Sequence, residues 1–153
     1  MKMDEFARRS EEIKGRLYKT AIVYLQDPDA AEEALAEAVY RGVKACGKLK
    51  DPGLFDTWMT RILINACCDE LKRRKRQLSM DEIPEEAAAE YDSLPLKDAV
   101  CRLPKELKDV IVLRYFSGYG LKETADILGI PQGTAATRQR RAFALLRLEL
   151  EEV

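Results

Sequence analysis

The chain has 153 residues, 46% hydrophobic and 35% charged, with 26 Lys and Arg against 27 Asp and Glu for a net charge of -1. This composition excludes a wholly disordered chain; the length allows one ordinary domain or two small ones, and no apolar run nears the roughly 18 residues of a membrane span. Histidine is absent, which removes Ser-His and Cys-His nucleophile pairs, His-ligated zinc and His-based proton transfer.

The opening MKMDEFARRSEE has no apolar core, so no secretory signal is expected and the chain is assigned to the cytoplasm. Cys46, Cys67, Cys68 and Cys101 form no C-x-x-C pair, and they read as reduced thiols packed as small apolar groups. No metal site and no cofactor are expected. Charge is unevenly spread. Residues 1–76 carry 16 basic and 13 acidic side chains, residues 77–98 one and seven, and residues 99–153 nine and seven. Two mildly basic blocks thus flank an acidic spacer.

The periodicity predicts an all-α chain. A first helix near 4–25 places Phe6, Ile13, Leu17, Ala21 and Leu25 on one stripe. Asp27-Pro28 resets the chain, Asp as cap and Pro at the first helical position. The second helix puts Ala31, Leu35, Ala38, Val39, Gly42, Cys46 and Leu49 on one face. Asp51-Pro52-Gly53 is the next break. The third helix, from about Leu54 to Arg76, is apolar around much of its girth, which predicts a central position. It ends in Lys72-Arg73-Arg74-Lys75-Arg76, more cations than the helix dipole requires. Residues 77–93 carry Pro84 and no apolar stripe, and read as an acidic linker with at most one helical turn at Glu85–Glu90. The second block, 94–153, opens with a short helix ended at Leu103-Pro104. A helix from Pro104 to Ser117-Gly118 follows. The domains are therefore 1–76 and 94–153.

The most informative stretch is LKETADILGIPQGTAATRQRRAFALL, residues 121–146. An eight-residue helix from Leu121 to Leu128 meets Gly129, and a second helix starts near Gln132. Ala125 is small where two crossing helices touch, Gly129 permits the turn, and Ile130 fills the corner. This is a helix-turn-helix arrangement. At 100° per residue, Ala135, Gln139, Ala142 and Leu146 face inward, while Gly133, Thr134, Thr137, Arg140 and Arg141 face out with Arg138 on the flank. Hydroxyls and guanidiniums in that position suit phosphates and base edges in a major groove.

A second DNA-binding surface is expected on the third helix. Asn65 interrupts an apolar run, and a buried Asn requires a hydrogen bond; its amide either caps a turn or faces a base. Arg73, Arg74 and Arg76 can hold phosphates. Trp58, the single tryptophan, either packs in the core or stacks on an unpaired base.

FDTWMTRILINACCDELKRRKR (55–76), LPKELKDVIVLRYF (103–116) and LGIPQGTAATRQRRA (128–142), in that order around an acidic tether, resemble regions two and four of the extracytoplasmic-function (ECF) bacterial sigma factors. The resemblance implies a non-enzymatic protein that binds core RNA polymerase and directs it to promoter DNA, with no small-molecule substrate. It implies polymerase contact by the helix bearing Glu33, Glu37, Tyr40 and Arg41. It adds Asp69 to a -10 surface of Asn65, Arg73, Arg74 and Arg76, and assigns -35 reading to Thr134, Thr137, Arg138 and Arg141. Docking of the second block on the polymerase flap, and inhibition by an anti-sigma protein, are further family traits. Departures from the family are Ala36 for a frequent Gln, Gly120 for Ser or Thr, Ala135-Ala136 for Val-Lys, and Gln139 for an inward Leu. An autonomous helix-turn-helix regulator is the alternative, but it would need dimer symmetry, and no separate dimerisation element is visible.

Overall fold

The computed structural model describes residues 1–78 and 95–151, and all regular structure among them is helical. Helix α1 spans Met3–Leu25 and closes on Gln26 in the left-handed conformation, φ 53°. Asp27 then caps α2 (Pro28–Ala45), its carboxylate accepting from the Asp29 N–H at 3.2 Å. Asp51 repeats the device on the Gly53 N–H at 2.9 Å, through a single turn at Pro52–Leu54. That turn leads into α3, Phe55–Leu78, two residues longer than the basic run predicts.

These three helices bury one core. Leu17 and Ala21 of α1, Ala31 and Ala38 of α2, and Phe55, Met59, Leu63 and Cys67 of α3 are all within 1% of full burial. Each large apolar side chain so buried stabilises the fold by about 1.5–3 kcal/mol. Phe6 meets Phe55 edge-on at 5.7 Å between ring centroids, and Trp58 stands edge-on to Phe6 at 6.4 Å. Trp58 is thus a partly buried member of this core. Gly42 permits the close approach of α2, since a Cβ there would lie 2.8 Å from Phe6 Cζ.

The second block holds α4 (Pro95–Arg102), α5 (Lys105–Ile111), α6 (Leu121–Leu128) and α7 (Gln132–Glu151). Where the sequence predicts one helix up to Ser117, α5 instead widens into a π turn over Val112–Phe116. The Ser117 N–H donates to the Val112 carbonyl and the Tyr119 N–H to Leu113, both at 2.9 Å. Beyond that turn Ser117 and Tyr119 are buried.

The two blocks pack against each other, α1 and α3 on one side and α4, the π turn and α6 on the other. Apolar contact continues from one block into the other. The predicted acidic linker and its Glu85–Glu90 turn lie outside the described residues, apart from residues 77–78, which extend α3.

Candidate nucleic-acid interface

The turn between α6 and α7 is built as its residues require. Gly129 takes φ +69°, a conformation that penalises a Cβ. Its N–H donates to Asp126 at 3.2 Å and that of Ile130 to Ala125 at 3.0 Å, which satisfies the last carbonyls of α6. Ala125 and Ala135 are buried at the crossing, at 2% and 0% exposure. Helix α7 therefore presents one face outward from its first turn.

That face carries exposed Gly133, Thr137, Arg140 and Arg141, with Thr134 and Arg138 half-buried at its edge. The Thr137 hydroxyl donates to the Gly133 carbonyl at 3.0 Å, and Arg140 donates to Thr137 Oγ1 at 3.4 Å. Nothing stands within 4 Å of the position a Gly133 Cβ would take, so a ligand backbone can approach there. Inward-facing Gln139 is explained by Arg114, which donates to Gln139 Oε1 at 3.0 Å and to the Tyr119 carbonyl at 3.2 Å. The polar group that interrupts an apolar stripe is thus paired.

On α3 the premise of a buried Asn65 fails. Leu63 and Ile64 are buried, but Asn65 is exposed, because the apolar stripe turns away from it at that position. Asp69 is exposed and pairs with Arg41 of α2 at 2.9 Å. Arg73 grips Glu70 through Nε at 2.9 Å and Nη2 at 2.6 Å. The Arg73 hydrogen bond holds the Glu70 carboxyl below its ordinary range, and Glu70 reciprocally raises the guanidinium. Arg74 serves the block itself: it donates to the Leu25 carbonyl at 3.1 Å and to Glu70 at 3.3 Å, and lies 3.7 Å from Asp27. Lys72, Lys75 and Arg76 are exposed.

A groove of about 290 Å³ between α2 and α3 is lined by Glu33, Glu37, Arg41, Asp69, Glu70 and Arg73. The predicted polymerase contacts and part of the predicted -10 set therefore share one surface. Tyr40 is exposed nearby, with the Lys44 ammonium 4.4 Å from its ring centroid. A second groove, about 220 Å³, runs between the blocks and is lined by Arg61, Asn65, Lys105, Asp109, Ile127 and Arg138 among others. It brings Asn65 and Arg138, assigned to different promoter elements, to one place.

Sequence reasoning passed over two features. Arg61 crosses between the blocks and donates to the Ile127 carbonyl at 2.7 Å and to Asp126 at 3.3 Å. Its position within an otherwise apolar stretch of α3 was the available signal. Tyr115 and Phe143, both exposed, meet at 5.4 Å in an aromatic patch on the second block, and Leu145 and Leu148 are exposed elsewhere around the same helix. Phe143, Leu145 and Leu148 lie off the inward stripe of α7, which was visible in the sequence.

A family model described as Sigma-70 region 2 matches residues 11–77, and one described as Sigma-70, region 4 matches residues 93–148. An RNA polymerase sigma-E factor of Streptomyces antibioticus is 30% identical over 141 residues, covering 88% of this chain and 78% of its own length. The chain belongs to the ECF group of RNA polymerase sigma factors. The RNA polymerase sigma factor SigV of Bacillus subtilis is 28% identical over 142 residues, 90% of this chain and 86% of that protein. The sigma factor RpoE of Bartonella quintana, solved in complex with the anti-sigma factor NepR, shares the fold. Its TM-score is 0.74 at 22% identity, covering 97% of this chain and 98% of that one.

Sigma factors are non-catalytic initiation factors that bind core RNA polymerase and promoter DNA, so this chain is not an enzyme. Burial pushes the Cys67 thiol up to about 12 and also raises that of Cys68, which leaves both weak nucleophiles. No helix among the described residues is long and apolar enough to cross a membrane.

Proposed function

We propose that this sigma factor reads the -35 element with Gly133, Thr134, Thr137, Arg138, Arg140 and Arg141 of α7. Asn65, Asp69, Arg73, Arg74 and Arg76 of α3 serve the -10 element, and Glu33, Glu37, Tyr40 and Arg41 of α2 bind core polymerase. The division of labour follows the blocks: 1–76 for the polymerase and the -10 element, 77–93 as linker, 94–153 for the -35 element. The observation that carries this reading is the outward face of α7, hydroxyls and guanidiniums in the first turns after a glycine-closed corner. Guanidiniums fork onto guanine edges or hold phosphates, and hydroxyls reach either.

Exposure of the Asn65 amide supports contact with an unpaired base, whose capture offsets an unstacking cost of about a few kcal/mol. Arg74, tied to Leu25 and Glu70, acts chiefly by fixing the end of α3, while exposed Arg73 and Arg76 face phosphates. The Tyr115–Phe143 patch supports docking of the second block on the polymerase flap. Two modest DNA sites on one chain reinforce each other through effective concentration. The protein acts in the cytoplasm, with core polymerase and promoter DNA as its partners; the relative of the same fold solved with NepR makes an anti-sigma protein a further candidate partner.

Replacing Arg138 and Arg141 by Ala tests the -35 assignment. Each lost phosphate contact should flatten the dependence of log affinity on log salt by about 0.9; an unchanged slope contradicts it. Asn65→Ala should impair binding to DNA opened at the -10 element and spare the -35 duplex. Equal loss at both sites would remove the base-capture role.

A further inference from the structure

The cations that end α3 are not equivalent. Lys72, Lys75 and Arg76 are exposed. Arg74, its side chain 31% exposed, is fastened to the corner after α1 by the Leu25 carbonyl at 3.1 Å, with Asp27 at 3.7 Å. Arg73 is 56% exposed, yet it is fastened too. Glu70 stands one turn before both arginines, at the i+3 and i+4 spacings, and its own side chain is only 18% exposed. Its two oxygens take Arg73 as a fork, Oε2 accepting from Nε at 2.9 Å and Oε1 from Nη2 at 2.6 Å. Oε1 also accepts from Arg74 Nε at 3.3 Å. A continuous run of bonds therefore leads from the Leu25 carbonyl through Arg74 and Glu70 to Arg73, from the body of the block to its surface.

These bonds use one edge of the Arg73 guanidinium and leave the Nη1 edge without a partner among the described residues. A guanidinium is planar and offers its N–H groups in a fixed fork, so holding one edge sets the direction of the other. An exposed Arg normally loses rotamer freedom when it closes on an anion; here Glu70 has already removed that freedom. Asn65, Asp69 and Arg73 follow at four-residue steps along one stripe of α3, about 12 Å from first to last at about 1.5 Å per residue. The directed fork thus lies in line with the exposed Asn65 amide and Asp69 carboxylate. We propose that Glu70 is a positioning residue for -10 recognition: it holds Arg73 with the Nη1 edge set for a backbone phosphate of the opened strand, and acts on DNA only through Arg73. The inference deepens the -10 assignment made above and rests on it. Its sign is opposite to that of simple charge. Glu70 is an acid beside a polyanion, so by Coulomb attraction and repulsion alone its removal should tighten binding. As a buttress, its removal loosens binding, because Arg73 must then be ordered at the moment of contact.

The test uses the full chain assembled with core polymerase, on a promoter fragment that this assembly transcribes in run-off assays, with an unpaired bubble across the -10 element. Affinity for that fragment is measured against salt for the parent, Glu70→Gln, Arg73→Lys, Arg73→Ala, and Glu70→Gln combined with Arg73→Ala. Glu70→Gln should weaken binding about twofold to tenfold. Arg73→Lys, which keeps the charge but not the fork, should weaken it by about as much. Arg73→Ala should also flatten the dependence of log affinity on log salt by about 0.7, the share of one single-strand phosphate. Once Arg73 is Ala, adding Glu70→Gln should cost nothing or tighten binding. Glu70→Gln that binds as well as the parent or better overturns the buttress, and so does Arg73→Lys that matches the parent. An equal Glu70→Gln loss with Arg73 present or absent overturns it as well, since the effect would then lie in the fold or in polymerase contact. These results leave the -10 assignment standing. Arg73→Ala with the affinity and salt slope of the parent counts against that assignment itself, and removes the buttress with it.

Discussion

Phe55 and Thr60 stand five residues apart on the same helix, and both are at 0% exposure. Phe55 faces Phe6 and Trp58 in an interior of rings and methyl groups. Thr60 faces the Tyr119 hydroxyl of the other block. The two faces of α3 thus bury side chains equally well by different chemistry. The first holds by area removed from water, and nothing compensates its exposure. The second adds hydrogen bonds that water can replace to the apolar contact shared by the two blocks. Equal burial therefore does not mean equal permanence: the ring face makes a block, and the hydroxyl face makes a joint.

Substitutions on the two faces should separate them. Phe55→Ala removes a fully buried ring, and a loss of about 3–5 kcal/mol in denaturant unfolding is expected. A loss below about 1 kcal/mol would mean the ring core is not what holds the first block. Tyr24→Phe leaves the Asp109 carboxylate without its phenol donor, for a cost of about 1–3 kcal/mol. That cost should appear in the coupling of the two blocks, as unfolding transitions that draw apart, with helix content unchanged. Arg61→Ala should cost about 1 kcal/mol in the same coupling and leave the first block's own transition in place. A loss confined to the first block would instead place Arg61 in that block's core.

The smallest effect concerns the basic end of α3. Glu70 is held below the ordinary carboxylate range by Arg73. A depressed carboxyl contributes stability that is fully present above its unfolded pKa, about 4.3, and is lost as pH falls through the lower folded value. The difference in thermal midpoint between the parent and Glu70→Gln should therefore be constant near neutrality and shrink below about pH 4. A difference that persists in acid would assign Glu70 a packing role instead.

Much of this was legible in the sequence where local rules act alone. Asp27-Pro28 and Asp51-Pro52-Gly53 cap as their chemistry requires, and the α6–α7 turn follows from Ala125, Gly129 and the spacing of apolar residues. Asn65 was misread because a polar residue in an apolar run is ambiguous until the buried stripe is fixed, and here the stripe turns away from it. The joint was not legible, because it depends on pairs far apart in the chain. Thr20 and Tyr24 repeat at helical spacing on α1, and Asp109 sits in an apolar run, but neither pattern names its partner. Ser117 and Tyr119 come inward only after a π turn that periodicity does not foretell.

Energy transfer between a dye on Arg8 of α1 and one on Lys122 of α6, both exposed and on separate blocks, follows the joint itself. The free chain should show a single short separation. Bound to core polymerase on a promoter, it should show a separation larger by tens of ångströms, as elements on the order of 80 Å apart require at about 3.4 Å per step. The same short separation in the transcribing complex would contradict the picture of two blocks that part to read DNA.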